Sequence, residues 1–494
     1  MSYDQKEWLE KIDRVIAEGP YDASWESLSR HETPRWFRDA KLGIFIHWGI
    51  YSVPAFANEW YSRNMYIEGS REFEHHVKTY GPHTEFGYKD FIPMFRAEKF
   101  DAEKWISLFK RAGARYVITV AEHHDGFQMY KSALSHWNAA EMGPKRDVLG
   151  ELTAEMKKQG LVNGASTHRI EHWWFMGGGR SFPSDITDDE KRGDFYWPAI
   201  AEQPENMDDS FFEPAPSEEF LNDWMIRTCE LIDNYRIHEL YFDWWIHHAA
   251  ARPYLQKIAA YYYNRAAQWG EEVLIAYKHD SFAFGTALID IERGQFSDVQ
   301  PFPWQTDTAI AKNSWCYTEG NDFKKPWSIL CDLVDVAAKN GTMLLNVGPK
   351  SDGTISAEDT AVLEAIGAWM AANGEAVYGS RPWRYAAEGP TKQEQGQFTD
   401  ARDKVYTSED FRFTEKDGKI YAACMRYPED GKILIRTFAK KVHTADAKFF
   451  GIIDNVEVLG FDEKPAFEAT EEGLVIKTEN VRSDSPVFFR ITVR

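Results

Sequence analysis

Two carboxylates stand at the ends of short apolar segments, in positions that suit nucleophilic and acid–base chemistry. Asp243 follows the segment ELYF and precedes two tryptophans, and Glu292 ends the later segment ALIDIE. A buried carboxylate needs nearby donors, which is more typical of a site than of a core. Glycoside hydrolysis uses such a pair, one carboxylate attacking the anomeric carbon and the other protonating the leaving oxygen. Asp290, two residues before Glu292 on the same strand face, competes for the second role.

Histidines and tryptophans mark two further segments. WFRDAKLGIFIHWG carries His47, Glu59 and Trp60 follow in the next loop, and EHHDGF carries His123 and His124. Taken alone, the first set is more typical of a core histidine and an ordinary ion pair than of a sugar-binding site. Adjacent strand residues point to opposite faces, so both histidines of EHHDGF can face one cavity only where the strand has ended. Their spacing is poor for a single metal ion. We therefore expect neutral imidazoles that bind ligand hydroxyls, with no metal and no cofactor.

The elements that must position these residues form an alternating pattern between about residues 40 and 350. Short apolar segments alternate with helical patterns, which indicates parallel strands buried on both faces. The segments are 42–48, 116–121, 162–167, 239–242, 273–277, 287–291 and 343–347. With an eighth strand expected near 314–317, the pattern predicts an α/β fold, a (β/α)8-like TIM barrel. Its active site would lie at the carboxyl ends of the strands. The residues expected there are His47, His123, His168, Asp243, Lys278, Glu292, Trp315 and Asn346.

The pattern changes after the last barrel strand. Ser356 and Asp359 form the N-terminal signature of a final barrel helix. From Arg381 onward, short alternating runs such as KIYAACMRYP and VFFRITV predict an antiparallel β-sandwich. We therefore expect a catalytic barrel over residues 1–380 and a β-sandwich domain over 381–494. The acidic, proline-rich stretch 177–216 should lie over the top face, as a functional loop or a solvated insertion.

Composition excludes several classes of protein. The 494 residues carry 57 Lys and Arg against 78 Asp and Glu, a net charge of −21. This balance argues against nucleic-acid binding and against anionic membrane surfaces. The N-terminus lacks the apolar run of a secretory signal, so we expect a cytoplasmic protein, although a removed signal would leave the same chain. Four cysteines without CxxC spacing argue against a disulfide scaffold and a structural zinc site. The sequence leaves open whether the protein forms a homo-oligomer.

These segments, in this order, resemble the α-L-fucosidases of glycoside hydrolase family 29 over roughly residues 35–380. The matching blocks are WFRDAKLGIFIHWG, EWY, EHHDGF, FDWW, SWCY and GTMLLNVGPKSDG. The resemblance implies a cofactor-independent, retaining exo-α-L-fucosidase acting on fucosylated oligosaccharides or glycoconjugates, with Asp243 as nucleophile. It also implies a set of sugar contacts. These are His47, Glu59, Trp60, His123 and His124, with His168, Lys278 and Trp315 as further candidates.

One departure from the family pattern concerns the general acid. Many relatives carry a glutamate where this chain has Gln305, in PWQTDTAIAKNSWCY. An amide cannot protonate a leaving group, so we expect Glu292 to be the acid/base, with Glu59 as the fallback.

Three other functions stay open from the sequence. A related glycosidase would take a fucose-like sugar, and the contact to the C6 methyl group would decide between the two. Candidates for that contact are Phe45, Phe56 and Trp315. A catalytically inactive carbohydrate-binding protein would be expected to lack the nucleophile, whereas Asp243 is present. A metal-dependent hydrolase would lose activity in EDTA.

Overall fold

The first half of the fold is a closed barrel of eight parallel strands. The computed structural model describes residues 3–400, 404–440 and 448–494. The strands pair in chain order, and β1 closes onto β8 with Leu42 opposite Met343. They are β1 (Leu42–Ile46), β2 (Tyr116–Glu122), β3 (Val162–Thr167), β4 (Glu239–Phe242), β5 (Leu274–Tyr277), β6 (Leu288–Glu292), β7 (Trp304–Ala309) and β8 (Gly341–Val347). The predicted barrel is confirmed.

Helices surround most of the barrel. In chain order they are α1 (Gln5–Glu18), α2 (Trp25–Leu28), α3 (Arg35–Ala40), α4 (Tyr61–Asn64), α5 (Arg71–Tyr80), α6 (Ala102–Arg111), α7 (Val148–Gln159), α8 (His172–Phe175), α9 (Glu218–Tyr235), α10 (Arg252–Trp269), α11 (Pro326–Ala338) and α12 (Ala357–Val377). Ser356 caps α12 by accepting a hydrogen bond from the Asp359 backbone N–H, as predicted. No helix lies in the connection from β5 to β6, residues 278–287, or in that from β6 to β7, residues 293–303. The structure describes both connections in full. This side of the barrel is therefore open to other segments.

The expectation of a strand near 314–317 is wrong. The seventh barrel strand is β7, and residues 314–317 belong to the loop that follows it. β7 has no apolar run, because its inward residues are polar and bond other barrel residues. The Gln305 amide accepts from the Tyr116 hydroxyl and donates to Glu239, and Asp307 accepts from Lys278. A search for apolar runs therefore misses this strand.

The C-terminal region consists of two antiparallel sheets, which confirms the predicted β-sandwich. Their strands are β9 (Arg381–Glu388), β10 (Phe411–Lys416), β11 (Lys419–Cys424), β12 (Lys432–Ile435), β13 (Ile453–Val458), β14 (Ala466–Ala469), β15 (Leu474–Lys477) and β16 (Val487–Val493). The sheet orders are β13-β16-β11-β10-β9 and β12-β15-β14. Phe413 and Ile491 of the larger sheet share an apolar core with Ile433 and Ile476 of the smaller one.

The barrel and the sheets also share apolar core. Tyr421 and Phe488 of the larger sheet belong to the same buried cluster as the barrel and its helices, and the Trp369 indole of α12 donates to the Pro486 carbonyl at 2.8 Å. A domain boundary at residue 380 therefore stays a prediction.

Candidate active site

A cavity of about 650 Å³ opens at the carboxyl ends of the barrel strands. This size suits a small ligand such as one sugar ring. Its walls contain most of the residues that the sequence predicted for the site. The lining residues are Phe45, His47, Asn58, Glu59, Trp60, His123, His124, His168, Asp208, Asp243, Trp244, Trp245, His279, Glu292, Asp307, Trp315, Gln397 and Phe398.

Asp243 enters this cavity from the end of β4 and is held in its ionised form. His168 Nδ1 lies 3.0 Å from Asp243 Oδ2, and His168 Nε2 lies 2.9 Å from the Ser166 hydroxyl. With Ser166 as donor, the imidazole is neutral and donates from Nδ1 to the carboxylate. Burial alone would raise the pKa of Asp243, but His168, His124 and Lys278 hold it well below its usual range. The carboxylate is thus available as a nucleophile.

Glu292 ends β6 and faces the same cavity, but its environment favours the protonated form. Burial, with Asp307 and Asp243 nearby, raises the pKa of Glu292 to about 7, against the opposing effect of Lys278. The Trp244 indole N–H donates to Glu292 Oε2. Two carboxyl groups whose surroundings drive their pKa values apart are suited to separate nucleophile and acid roles.

Lys278 lies beneath the cavity floor. Its Nζ is 2.8 Å from Asp290 Oδ1, 2.8 Å from Asp307 Oδ1 and 3.3 Å from Glu292 Oε2, and its side chain is fully buried. Lys278, predicted as a sugar contact, therefore does not line the cavity. It instead pairs with Glu292 and Asp307, which do line it, and with Asp290, which does not. Asp290, the competing acid candidate, also lies outside the cavity lining.

The adjacent histidines both reach the cavity because β2 ends at Glu122, immediately before them. The pKa of His123 is well below its usual value, since the ring is buried beside His124, His168 and His47. His123 Nδ1 has no hydrogen-bond partner within the described ranges. That nitrogen is itself buried, so a hydroxyl group in the cavity would have to bond the other nitrogen of the neutral ring.

His124 lies between two carboxyl groups. Its Nδ1 is 2.9 Å from Glu171 Oε2, and its Nε2 is 3.6 Å from Asp243 Oδ2. Glu171 is fully buried, and burial together with Asp243 and Glu292 raises its pKa well above the usual value. His124 Nδ1 is hydrogen-bonded to the His168 carbonyl at 3.2 Å, and both Glu171 carboxyl oxygens lack a hydrogen-bond partner among the described residues, so Glu171 lies beside the ring without bonding it.

His47 and Trp315 are fixed together by one amide. Asn346 Oδ1 accepts from His47 Nδ1 at 2.6 Å, and Asn346 Nδ2 donates to the Trp315 carbonyl at 2.6 Å. Glu59 Oε2 accepts from the Trp315 backbone N–H at 3.0 Å. Trp315 is therefore a loop residue held against the cavity by side chains that come from β8 and from the loop after β1.

Of the three candidates for a methyl contact, the structure brings two to the site. Phe45 and Trp315 line the cavity, with ring centroids 6.4 Å apart. Phe56 does not line it, because its ring stacks on His75 at 3.8 Å. Trp60 lines the cavity beside Trp245, at 5.7 Å.

Among the described residues, two groups of donor atoms are close enough together to hold a metal ion. One consists of His47, His123 and His168, and the other of His124, His168 and Asp243, with the atoms of each group within 4.8 Å. His168 belongs to both, yet both its nitrogens already bond Ser166 and Asp243. A metal would have to replace one of those bonds, and the metal-free site stays a prediction.

Sequence reasoning missed several lining residues. Trp244 and Trp245 follow the nucleophile directly, so their position next to a strand end could have indicated them. Asp208 lies in the 177–216 stretch, which also buries Phe195 and Tyr196. Gln397 and Phe398 come from the segment between β9 and β10, more than a hundred residues after Glu292. No local pattern relates those segments to the barrel.

Four non-glycine residues at or next to the same rim adopt left-handed backbone conformations, as do other residues elsewhere in the described chain. Trp245, His279, Arg293 and Phe398 have φ values of +60°, +51°, +45° and +56°. Each such non-glycine conformation costs about 1–3 kcal/mol and persists only where surrounding structure enforces it, which is typical of functional sites.

A cavity of about 740 Å³ lies at the opposite end of the barrel, between α3, the start of β2 and the larger sheet, with Arg35, Arg115 and Arg381 in its wall. It contains neither candidate catalytic carboxylate, and active sites of such barrels form at the carboxyl ends of the strands. None of the helices in the described part of the chain is both long and apolar enough to cross a bilayer.

Several known proteins are similar to this chain in sequence and in fold. The chain is 30% identical to the tissue alpha-L-fucosidase of Rattus norvegicus over 429 residues, 85% of this chain and 82% of that protein. It is 28% identical to the alpha-L-fucosidase of Dictyostelium discoideum over 443 residues, 86% of this chain and 85% of that protein. The crystal structure of the Thermotoga maritima alpha-fucosidase superposes with a TM-score of 0.74 at 28% identity, covering 96% of this chain and 100% of that one.

A structure of the Thermotoga maritima enzyme in complex with fucose is also similar, with a TM-score of 0.72 and 28% identity over 96% of this chain and all of that one. The family model described as alpha-L-fucosidase matches residues 9–375. These residues include the whole barrel and both candidate catalytic carboxylates, and the chain belongs to the α-L-fucosidase family.

Proposed function

We propose that this protein is a retaining exo-α-L-fucosidase in which Asp243 is the nucleophile and Glu292 the general acid/base. The observation that carries the proposal is the pair of carboxyl groups facing one cavity, Asp243 with a depressed pKa and Glu292 with a pKa of about 7. Membership of the α-L-fucosidase family supports fucosylated glycans as substrates.

In the first step Asp243 attacks the anomeric carbon of fucose. Its Oδ2 is held by His168, which leaves Oδ1 as the attacking atom. The glycosidic C–O bond breaks as the new ester bond forms, and the Glu292 proton passes to the leaving oxygen. The products are a fucosyl-Asp243 ester and the free leaving group.

In the second step Glu292, now ionised, takes a proton from water. The water oxygen attacks the anomeric carbon, and the ester bond to Asp243 breaks. Two inversions at one carbon give overall retention. Lys278, 3.3 Å from Glu292 Oε2, stabilises the ionised form between the two steps.

The remaining cavity residues hold the sugar. We assign His47, His123, His124 and Glu59 to its hydroxyl groups, since all four are polar residues of the cavity lining. His168 also lines the cavity, but its two nitrogens bond Ser166 and Asp243, so we assign it to positioning the nucleophile. Trp60, Trp315 and Phe45 supply apolar surface, which suits the C–H faces and the methyl group of a 6-deoxy sugar.

The stereochemistry of turnover tests this proposal. Proton NMR of an aryl α-L-fucoside during hydrolysis should show α-L-fucose first, before mutarotation. Initial β-L-fucose would exclude a retaining enzyme. A matched aryl α-L-galactoside, which adds a hydroxyl group at C6, should react more slowly; faster turnover would favour the fucose-like alternative. No turnover of any α-L-fucoside would favour the inactive binding protein.

A further inference from the structure

We infer that residues 395–400, from the C-terminal region, build a subsite for the leaving group, which takes a neutral sugar ring against Phe398 and Trp244. This inference rests on the proposed function and extends it, because it states what lies on the far side of the scissile bond.

The segment is tied to the end of β6 along its length. Gln295 and Gly396 exchange two backbone hydrogen bonds at 3.2 and 3.1 Å, the Phe398 N–H donates to the Glu292 carbonyl at 2.9 Å, and the Asp400 N–H donates to the Arg293 carbonyl at 2.9 Å. The Gln397 side-chain oxygen accepts from the Glu292 N–H at 2.9 Å. The segment occupies the side of the barrel where β6 is followed by no helix.

Phe398 is in a conformation that core packing does not explain. Its ring is 55% exposed although its backbone adopts a φ of +56°. The ring lies nearly parallel to that of half-buried Trp244, at 13° and 5.9 Å between centroids, and the His279 ring meets Trp244 edge-on at 4.2 Å. A strained, exposed aromatic at the mouth of a cavity indicates a contact with a ligand.

The position of this aromatic pair relative to Glu292 identifies the ligand. The Trp244 indole donates to Glu292 Oε2, and Phe398 bonds the Glu292 backbone. The group that protonates the leaving oxygen must lie beside the leaving group. A ring joined through that oxygen therefore lies against Phe398 and Trp244.

The polar rim favours a neutral sugar over other rings. Asp208 and His279 are exposed at the same edge of the cavity and can bond hydroxyl groups. The Asp208 carboxylate would repel an anionic leaving group. An apolar floor with a polar edge matches a pyranose, whose C–H faces are apolar and whose rim carries hydroxyl groups.

The test compares two substrates that differ in their leaving group. α-L-Fucosyl fluoride has no leaving-group ring, whereas an α-L-fucosyl-(1→2)-galactoside has one. We expect Phe398→Ala to lower the ratio of kcat/KM on the disaccharide to kcat/KM on the fluoride about tenfold. Phe398→Tyr should restore the ratio. Phe284→Ala, which removes an aromatic ring that is 70% exposed and does not line the cavity, is the matched control and should leave it unchanged.

A second readout separates a subsite from displacement of Glu292. For the disaccharide, kcat/KM should fall at high pH with the same midpoint in Phe398→Ala as in the wild type, because that midpoint reports the pKa of Glu292. An unchanged substrate ratio, or a lowered ratio accompanied by a shifted midpoint, would overturn the subsite. Wild-type protein that hydrolyses neither the fluoride nor the disaccharide would instead refute the proposed function.

Discussion

Asp243 and Glu292 are both carboxyl groups of one cavity, yet their neighbours give them opposite protonation states. His168 donates to Asp243, while Glu292 is buried near Asp307 and Asp243 and shares Lys278 with other carboxylates. The two chemical roles thus follow from the side chains around each carboxyl group rather than from residue type. Substitutions at the two positions should consequently fail in different ways.

Removing the nucleophile should abolish turnover. Asp243→Gly should lower kcat on an aryl α-L-fucoside by a factor on the order of 10⁴ or more, because the covalent path is lost. Azide should restore part of the rate by attacking from the vacated side, giving the β-L-fucosyl azide. Circular dichroism checks that the fold persists. Near-normal activity in this variant would refute the assignment of Asp243.

Removing the acid/base should have an effect that depends on the leaving group. Glu292→Ala should slow substrates with poor leaving groups far more than activated aryl fucosides, which need little protonation. The ester should then accumulate, and azide should speed its release. Equal slowing of both substrate types, with no effect of azide, would transfer the role to Glu59, which lines the same cavity.

The pKa of Glu292 predicts the pH profile. Glu292 must be protonated and Asp243 ionised in the free enzyme. Because the Glu292 pKa is raised to about 7, kcat/KM should fall as pH rises through about 7, and the low Asp243 pKa should preserve activity on the acid side. Glu292→Gln should remove the alkaline limb from the residual activity on an aryl α-L-fucoside, whose leaving oxygen takes the Glu292 proton in the wild type. A limb that persists in that variant would belong to another group.

Metal content tests the histidine cluster. We expect His123→Ala to cost about 1–3 kcal/mol of transition-state stabilisation, if the ring donates to a sugar hydroxyl group. Metal analysis of the purified wild type should give less than one equivalent, and EDTA should leave its activity unchanged. A stoichiometric metal that disappears in the variant would contradict the prediction, and the two donor groups around His168 would then be its ligands.

At the scale of elements, sequence patterns predicted the strands that contain apolar runs or small uncharged residues and missed β7. β1, β2, β4 to β6 and β8 contain apolar runs and β3 consists of small or uncharged residues, whereas β7 points Gln305 and Asp307 into the barrel. Such residues are stable there only because partners on other strands satisfy them. Those partners are distant in sequence, so a local pattern cannot reveal the strand.

The same limit applies to the site. Residues at strand ends, such as Asp243, His123 and Glu292, were predictable because a barrel collects strand ends at one rim. Asp208 and Phe398 were not, because they reach that rim through long connections whose path depends on tertiary contacts. Trp315 was predicted at the rim for the wrong reason, since it lies on a loop and not at a strand end.

A buried glutamate at the start of β4 should make stability depend on pH. Glu239 accepts one hydrogen bond from Gln305, its Oε2 has no partner in the described part of the chain, and burial raises its pKa to about 8. This folded-state pKa exceeds the unfolded value. Its contribution to stability is therefore complete below about pH 4.5 and is lost as pH rises towards 8.

Glu239→Gln should remove that dependence. The free energy of unfolding of the variant relative to that of the wild type should increase between pH 5 and pH 8. The increase should be a few kcal/mol, at about 1.4 kcal/mol per pKa unit. Glu26→Gln, at an exposed position, is the matched control and should show no such trend. If the difference in stability between Glu239→Gln and the wild type stayed constant with pH, the raised pKa of Glu239 would be contradicted.

At the scale of the whole molecule, the barrel and the β-sheets are joined by buried contacts. Arg412 of β10 donates to Asp335 of α11, which also accepts from Lys339 at 2.6 Å, and all three side chains are buried. Residues 395–400 add a further connection at the active-site rim. We therefore expect the chain to unfold in one cooperative transition by calorimetry.

Breaking this buried ion pair should destabilise the whole molecule. Arg412→Leu leaves Asp335 with one cation in place of two, so we expect a loss of about 3 kcal/mol in the free energy of unfolding. Arg494→Leu breaks an exposed pair with Asp454 and should cost less than about 1 kcal/mol. Equal losses of stability in Arg412→Leu and Arg494→Leu would contradict a core shared by the barrel and the sheets. Separate unfolding transitions of the barrel and the sheets in the wild type would contradict it as well.

The most direct test of Asp243 as the nucleophile is to trap the covalent intermediate and identify the residue that carries it. 2-Deoxy-2-fluoro-α-L-fucosyl fluoride should form the ester quickly, because fluoride leaves without a proton, and hydrolyse slowly, because the fluorine at C2 disfavours the positively charged transition state. Peptide mapping by mass spectrometry should find one fluorofucosyl group, on Asp243. An adduct on Glu59 or Glu292, or active protein that forms no adduct, would contradict the central claim.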